Sequence, residues 1–296
     1  MALKILLLTH KFYPSIGGIE TITQLLAQAF SEAGHEVHVV TWSTDPTNKY
    51  FSYTVVRNPN VKHLFREHAW ADIVLENNIC LRLSWPSIMY FRPSFIVLQT
   101  WLPEGSEGIQ ITKRVKSYWL RRATQVIAIS DAVRNRDWPA ATVIGNSYDA
   151  KTFRIIPVIS RNLDFVFVGR GGTGQQHWVS MWESAGLGIE LYGEQSPESI
   201  STILSSSSIG ISTTPIALIE KSGSVAAMRE HGLPVICVRE RWKARGIMCI
   251  TPLEGVAEYK LGNLKELLCT EKSVATNSVL STVGTKFIAD LHISPG

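Results

Sequence analysis

A chain of 296 residues, 45% hydrophobic and 18% charged, is long enough for two globular domains and too apolar to be largely disordered. Its 29 basic and 25 acidic residues leave a net charge of +4, too mild to signal nucleic-acid binding. Four scattered cysteines, Cys80, Cys237, Cys249 and Cys269, lack C-x-x-C or histidine spacing, which argues against a zinc site or a disulfide framework and for reduced thiols in a cytoplasmic protein.

The first predicted element is the apolar run Leu3, Ile5, Leu6, Leu7 and Leu8. It is strand-length, carries Lys4 and lacks a small-residue cleavage site, so it reads as a buried strand rather than a targeting segment. It leads through Phe12, Tyr13, Pro14, Ser15, Ile16, Gly17 and Gly18 to a helix with Ile19, Ile22, Leu25, Leu26, Ala29 and Phe30 on one face, stopped at Gly34. Gly17 and Gly18 have no Cβ, so backbone N–H groups there can approach an anion, and the helix start adds unpaired donors. A phosphorylated ligand is the first expectation, and a tight strand-to-helix turn is the structural alternative.

Further strands are predicted at Val37–Trp42, Ile73–Leu75, Phe95–Leu98, Val126–Ile129 and Thr142–Ile144. Between the last of the middle strands, Ile111–Arg122 combines Lys113, Arg114, Lys116, Arg121 and Arg122 with Tyr118, Trp119 and Leu120. As a helix it would set cations and an aromatic edge against anionic lipid headgroups, giving peripheral contact at the inner membrane surface; an ordinary exposed helix with one buried stripe is the alternative. No apolar stretch approaches the ~20 residues that span a bilayer.

Pro157 and the mixed polar residues of Phe153–Asn162 mark a connection, placing one domain at 1–157 and a second at 158–296. The second is predicted to hold strands at Asp164–Val168, Ile189–Tyr192, Ile209–Ser212 and Pro234–Val238, helices at Pro197–Leu204 and Ser222–His231, and a closing helix at Val279–Leu291. Tyr192 lies only 22 positions after Arg170, room for a single crossover helix, so this sheet is expected to be reduced at one edge. Strands alternating with helices predict parallel sheets whose ligand loops gather at the carboxyl ends.

The segments Phe12–Glu20, Val126–Asp131 and Val143–Asp149, followed by Phe165–Arg170, Gly193–Thr214 and Lys221–Val235, resemble in order and spacing the GT-B glycosyltransferases of family four. The resemblance implies an α/β fold of two Rossmann-like domains whose parallel sheets face a central cleft. It also implies metal-independent, retaining transfer of a hexose from a nucleoside diphosphate sugar to a glycan or lipid-linked acceptor, as in polysaccharide biosynthesis, with no cofactor. In that setting Arg170 and Lys221 are the candidate catalytic cations for the leaving diphosphate. Gly17, Gly18, Ser222, Gly223 and Ser224 offer it backbone donors, and Glu220 is the candidate for donor sugar or ribose.

The chain departs from the family at three places. The two glutamates expected eight residues apart before the Gly-x-Pro-Val turn fall at Ile219 and Ala227. The loop Leu98, Gln99, Thr100, Trp101 lacks the usual histidine, leaving Gln99 or Thr100 to meet the sugar, and no lysine follows Arg170 within Gly171–His177. A transferase-like protein that binds without turnover is therefore one alternative. Another is an NAD-dependent oxidoreductase, because Gly169, Gly171 and Gly174 form G-x-G-x-x-G after a strand, with Glu190 expected on the next one. No Asp-x-Asp, H-E-x-x-H, P-loop or G-x-S-x-G occurs. His10, His35, His38 and His177 read as structural, with His10 nearest the glycine loop.

Overall fold

The computed structural model describes residues 2–15, 17–47, 49–99, 113–130, 138–144, 163–169, 175–186, 190–238 and 253–260, with a few single positions besides. Strands β1 (Lys4–Thr9), β2 (Glu36–Thr41), β3 (Thr54–Arg57), β4 (Ile73–Asn77), β5 (Ser94–Leu98), β6 (Gln125–Ala128) and β7 (Thr142–Val143) form one sheet in the order β3-β2-β1-β4-β5-β6-β7. Every described pairing in it is parallel, with Ile5 opposite Val37 and Ile73, and Leu8 opposite Val40 and Glu76.

The apolar run of β1 is explained by burial on both faces. Ile5 and Leu7 join the core beneath helix α1 (Gly18–Glu32), while Leu6 and Leu8 join the core on the opposite face, beside α2 (Val61–Trp70) and α3 (Leu81–Ser84). Helix α1 buries Ile22, Leu25, Leu26 and Phe30 as the periodicity predicts, and Thr23 and Ala27 with them. It ends where Gly34 takes φ +86°, a left-handed conformation natural to glycine, while His35 N–H donates to Phe30 O at 3.0 Å. Asn60 caps α2 by accepting from His63 N–H at 2.8 Å. Helix α4 (Lys113–Arg122) turns Trp119 and Leu120 into the first core and leaves Val115 and Tyr118 exposed.

A second parallel sheet has the order β11-β10-β9-β8, built from β8 (Leu163–Phe167), β9 (Ser207–Ser212), β10 (Val235–Cys237) and β11 (Val256–Glu258). Between β8 and β9 run α5 (Gln175–Ser184) and α6 (Pro197–Ser206), the latter capped by Ser196 with Pro197 at its first position. Helix α7 (Gly223–Glu230) packs Val225, Ala227 and Met228 against this sheet.

The expected strand at 189–192 is absent from its described residues. Residues 190–192 are irregular and exposed, and the Tyr192 hydroxyl donates to the Glu190 carboxylate beside it. The alternation of apolar and polar residues there has local strand propensity, but no ladder forms on it among the described residues; β8 pairs with β9. The crossover leaving β8 is helical, as its length requires, and α2, α3, β3 and β11 are elements the periodicity did not isolate. The predicted connection at 153–162 and closing helix at 279–291 lie outside the described residues, apart from single positions.

Candidate functional site

The glycine loop is held from three strand ends. Arg57, closing β3, donates through Nη1 to Tyr13 O at 2.8 Å and Ser43 O at 2.9 Å, and through Nη2 to Asp45 at 3.3 Å. The Thr47 hydroxyl, ahead of the Arg57 charge, keeps the Asp45 carboxyl below its ordinary pKa. Ser43, just past β2, accepts from Phe12 N–H at 2.8 Å. Asn77, ending β4, donates through Nδ2 to Ile19 O at 3.0 Å and to Thr23 Oγ1 at 2.6 Å, tying the first turn of α1 to the sheet. Gly17 is the N-cap residue of α1 with no side-chain cap, and Thr21 N–H donates to its carbonyl at 3.0 Å. A Cβ on Gly18 would meet nothing within 4 Å, whereas a Cβ on Gly17 would meet the Glu20 carboxylate.

The second cluster lies at the start of α7. A 3-10 segment, Ile216–Lys221, carries Glu220 and Lys221 to Ser222, whose hydroxyl caps the helix by accepting from Val225 N–H at 3.4 Å. Ser222 Oγ also lies 3.2 Å from Thr214 Oγ1 and 3.1 Å from Ser224 Oγ. Thr214 is fixed in turn through its N–H to Ser212 Oγ at 3.1 Å, while its carbonyl accepts from the Cys237 thiol. Three hydroxyls and an exposed Gly223 thus gather at one helix N-terminus outside the carboxyl end of β9, where backbone donors are aimed outward.

Among the sequence candidates, Gly17 and Gly18 sit at the start of α1, and Glu220, Lys221, Ser222, Gly223 and Ser224 are contiguous at the start of α7. Arg170, Gly171, Gly174 and Thr100 lie outside the described residues. Gln99 is buried and donates its N–H to Asn78 Oδ1 at 2.9 Å. Ile219 and Ala227, the positions where the sequence resemblance led to glutamates being expected, are both packed in the core of the second sheet, whereas neighbouring Glu220 is half-buried. The dinucleotide alternative loses one of its requirements, since Glu190 is not on a strand. His177 is exposed on α5. Cys80 and Cys237 are both buried.

Two features escaped the sequence reading. Glu76, deep in β4, accepts from Cys80 N–H at 3.0 Å and Trp119 Nε1–H at 2.8 Å, and burial pushes its carboxyl up to about 7. The other is a cavity of about 590 Å³ lined by Trp42, Leu81, Arg82 and Trp85. His10 lies close by: desolvation lowers its pKa, a backbone hydrogen bond with Ile79 opposes this, and the Arg82 charge lowers it further. Glu76 left one sequence signal, a carboxylate near the close of the apolar run Ile73–Leu75, whereas the cavity left none, because its lining comes from two separate segments after β2 and β4.

No family model matches this chain, and no curated protein sequence matches it significantly. Solved structures do. HepE (Alr3699) of Anabaena in complex with UDP aligns with a TM-score of 0.66 over 98% of this chain and 99% of that one, at 17% identity. WaaG, a glycosyltransferase involved in lipopolysaccharide biosynthesis, aligns with a TM-score of 0.56 over 98% and 100% at 15% identity. A glycosyltransferase from Rickettsia africae aligns with a TM-score of 0.55 over 81% and 80% at 13% identity. Likeness at these identities is likeness of fold, and with two parallel sheets in this order it establishes the GT-B architecture.

Proposed function

We propose that this chain is a glycosyltransferase moving a hexose from a nucleoside diphosphate sugar to a glycan or lipid-linked acceptor, with retention and without a metal. The observation that carries the reading is the hydroxyl-lined N-terminus of α7, beside Glu220 and Lys221, in a GT-B chain aligned over 98% of its length with a protein solved with UDP. Negative charge grows on the diphosphate as the bond from the anomeric carbon to the phosphate oxygen breaks. Backbone donors at Ser222–Ser224 and the cations Lys221 and Arg170 suit that charge, and Gly17 and Gly18 suit its approach from the first sheet. The acceptor oxygen bonds to the anomeric carbon on the same face, and its proton passes to the departing phosphate oxygen. Glu220 is assigned to the donor sugar or ribose.

The same reading includes peripheral contact with the inner membrane surface through residues 111–122. Arg122 Nη2 donates to Ser87 O at 3.5 Å, which sets α4 beside the exposed Ile88, Met89 and Phe91 and supports an amphipathic surface rather than an isolated basic helix. No described helix is long and apolar enough to cross a membrane.

A thermal-shift titration with UDP, GDP, UDP-glucose, GDP-mannose and NAD tests the donor site. One nucleoside diphosphate is expected to raise the melting temperature in the native chain and not in Lys221→Ala. Stabilisation by NAD alone would overturn the reading. The apolar burial of Ile219 and Ala227 keeps one second reading in view, a binding protein without turnover. Nucleotide stabilisation with no release of nucleotide from any sugar donor would favour it.

A further inference from the structure

The first sheet reverses direction between β1 and β4: the chain builds outward through β2 and β3 on one side and through β4 to β7 on the other. Loops leaving the strands on either side of such a point diverge and open a crevice beyond the carboxyl ends. The cavity of about 590 Å³ is lined from both sides of it, since Trp42 directly follows β2 while Leu81, Arg82 and Trp85 follow β4. Its volume lies in the range of small-molecule sites.

The lining has a specific chemistry. Trp42 is partly exposed and Trp85 is 38% exposed, so indole surface is available, and indoles suit the apolar C–H face of a pyranose ring. Arg82 is exposed and makes no ion pair among the described residues. The described acids after β2 and near the end of β4 are already engaged, Asp45 with Arg57 and Thr47, and Glu76 with Cys80 N–H and Trp119. A guanidinium without a carboxylate partner among the described residues, beside two indoles, matches a sugar that carries its own anion, which its planar donor fork binds in bidentate fashion.

We infer that this crevice is the acceptor subsite and that it selects a saccharide bearing a carboxylate or phosphate, stacked against Trp42 and Trp85 and held by Arg82. The word acceptor rests on the transferase reading; the selectivity for an anionic sugar does not.

Ligand-observed NMR titrations of the full chain compare methyl β-D-glucuronide, glucose 6-phosphate, methyl β-D-glucoside and inorganic phosphate. One anionic sugar is expected to bind at least about tenfold more tightly than the neutral glucoside, and to identify the anion as carboxylate or phosphate. Arg82→Gln should remove that preference, Arg82→Lys should keep part of it, and Trp85→Ala should weaken the sugar without restoring neutral binding. Equal affinity for neutral and anionic sugars, a preference that survives Arg82→Gln, inorganic phosphate binding as tightly as glucose 6-phosphate, or no binding of any probe would each overturn the inference. UDP titrated in parallel separates the two readings. UDP affinity retained by Arg82→Gln shows an intact fold, whereas a native chain that selects the anionic sugar but ignores UDP leaves the subsite standing and removes the transferase assignment.

Discussion

Glu20 turns back over Gly17, so that a Cβ built on Gly17 would stand 2.5 Å from its Oε2. Glu20 is the third residue of α1, where a carboxylate offsets the unpaired N–H groups and partial positive charge of the helix start. The helix end assigned to a phosphate therefore holds a carboxylate of its own. Glu20→Gln is expected to raise UDP affinity by about two- to fivefold while lowering stability by up to about 1 kcal/mol. Gly17→Ala should fold normally, because extended backbone suits alanine and the carboxylate can swing aside, yet should weaken UDP by placing a methyl group at the approach. Isothermal calorimetry reads both, and unchanged affinity in both variants would remove this helix from the diphosphate site.

Asn77 is the link between that helix and the sheet. Asn77→Ala removes both bonds to the first turn of α1 in a buried setting, and is expected to cost about 1–3 kcal/mol in urea unfolding. Thr23→Val should lose part of the same stability, with less than additive loss in the double variant because the two side chains share one bond. Additive losses would show that the clamp does not act as a unit.

Gly210 in β9 sets how closely α7 lies on the second sheet. A Cβ there would stand 2.6 Å from Met228 Sδ and 3.1 Å from its Cγ. Gly210→Ala is expected to cost about 1–3 kcal/mol by overpacking and to weaken nucleotide binding by shifting the Ser222–Ser224 turn. Combination with Met228→Ala should cost less than the two changes summed, as measured by chemical denaturation.

Glu76 makes stability fall as pH rises. Desolvation lifts its folded pKa from 4.5 to about 7, so the folded chain holds a proton that the unfolded chain has released between those values. The contribution is full below 4.5 and is lost as pH climbs to about 7, by up to roughly 3 kcal/mol. Urea midpoints at pH 5 and pH 8 should differ in the native chain and converge in Glu76→Gln, which cannot ionise. A difference that persists in the variant would assign the effect to another group.

Met89 and Phe91 are 66% and 92% exposed beside α4. Met89→Ser combined with Phe91→Ser is expected to reduce binding to vesicles containing phosphatidylglycerol by about tenfold or more, since each buried side chain of this size contributes about 1.5–3 kcal/mol. Binding to neutral phosphatidylcholine vesicles that equals binding to the anionic ones would remove the basic helix from the contact.

Much of the scaffold was legible in the chain because strands buried on both faces write themselves as continuous apolar runs. Ile5–Leu8, Phe95–Leu98 and Val126–Ile129 were found in this way, within a residue or two of the observed ends. The segment at 189–192 shows the limit: apolar and polar residues alternate there, but a strand needs a partner, and among the described residues none pairs with 190–192. Helix α2 was missed because His63, Glu67 and His68 interrupt its apolar face, and it is held instead by side-chain bonds such as His38 Nδ1 to Glu67 Oε2 at 2.6 Å.

By itself the sequence determined the alternation of strand and helix, the parallel character of the sheets, the glycine loop and the capped start of α7, because these depend on periodicity and local backbone chemistry. Tertiary structure alone decided that Asn77 and Arg57 grip the glycine loop, that Glu76 is desolvated, and that Trp42 and Arg82 share one crevice. Those relationships join residues about 40 or more positions apart, across a strand order that no local pattern encodes.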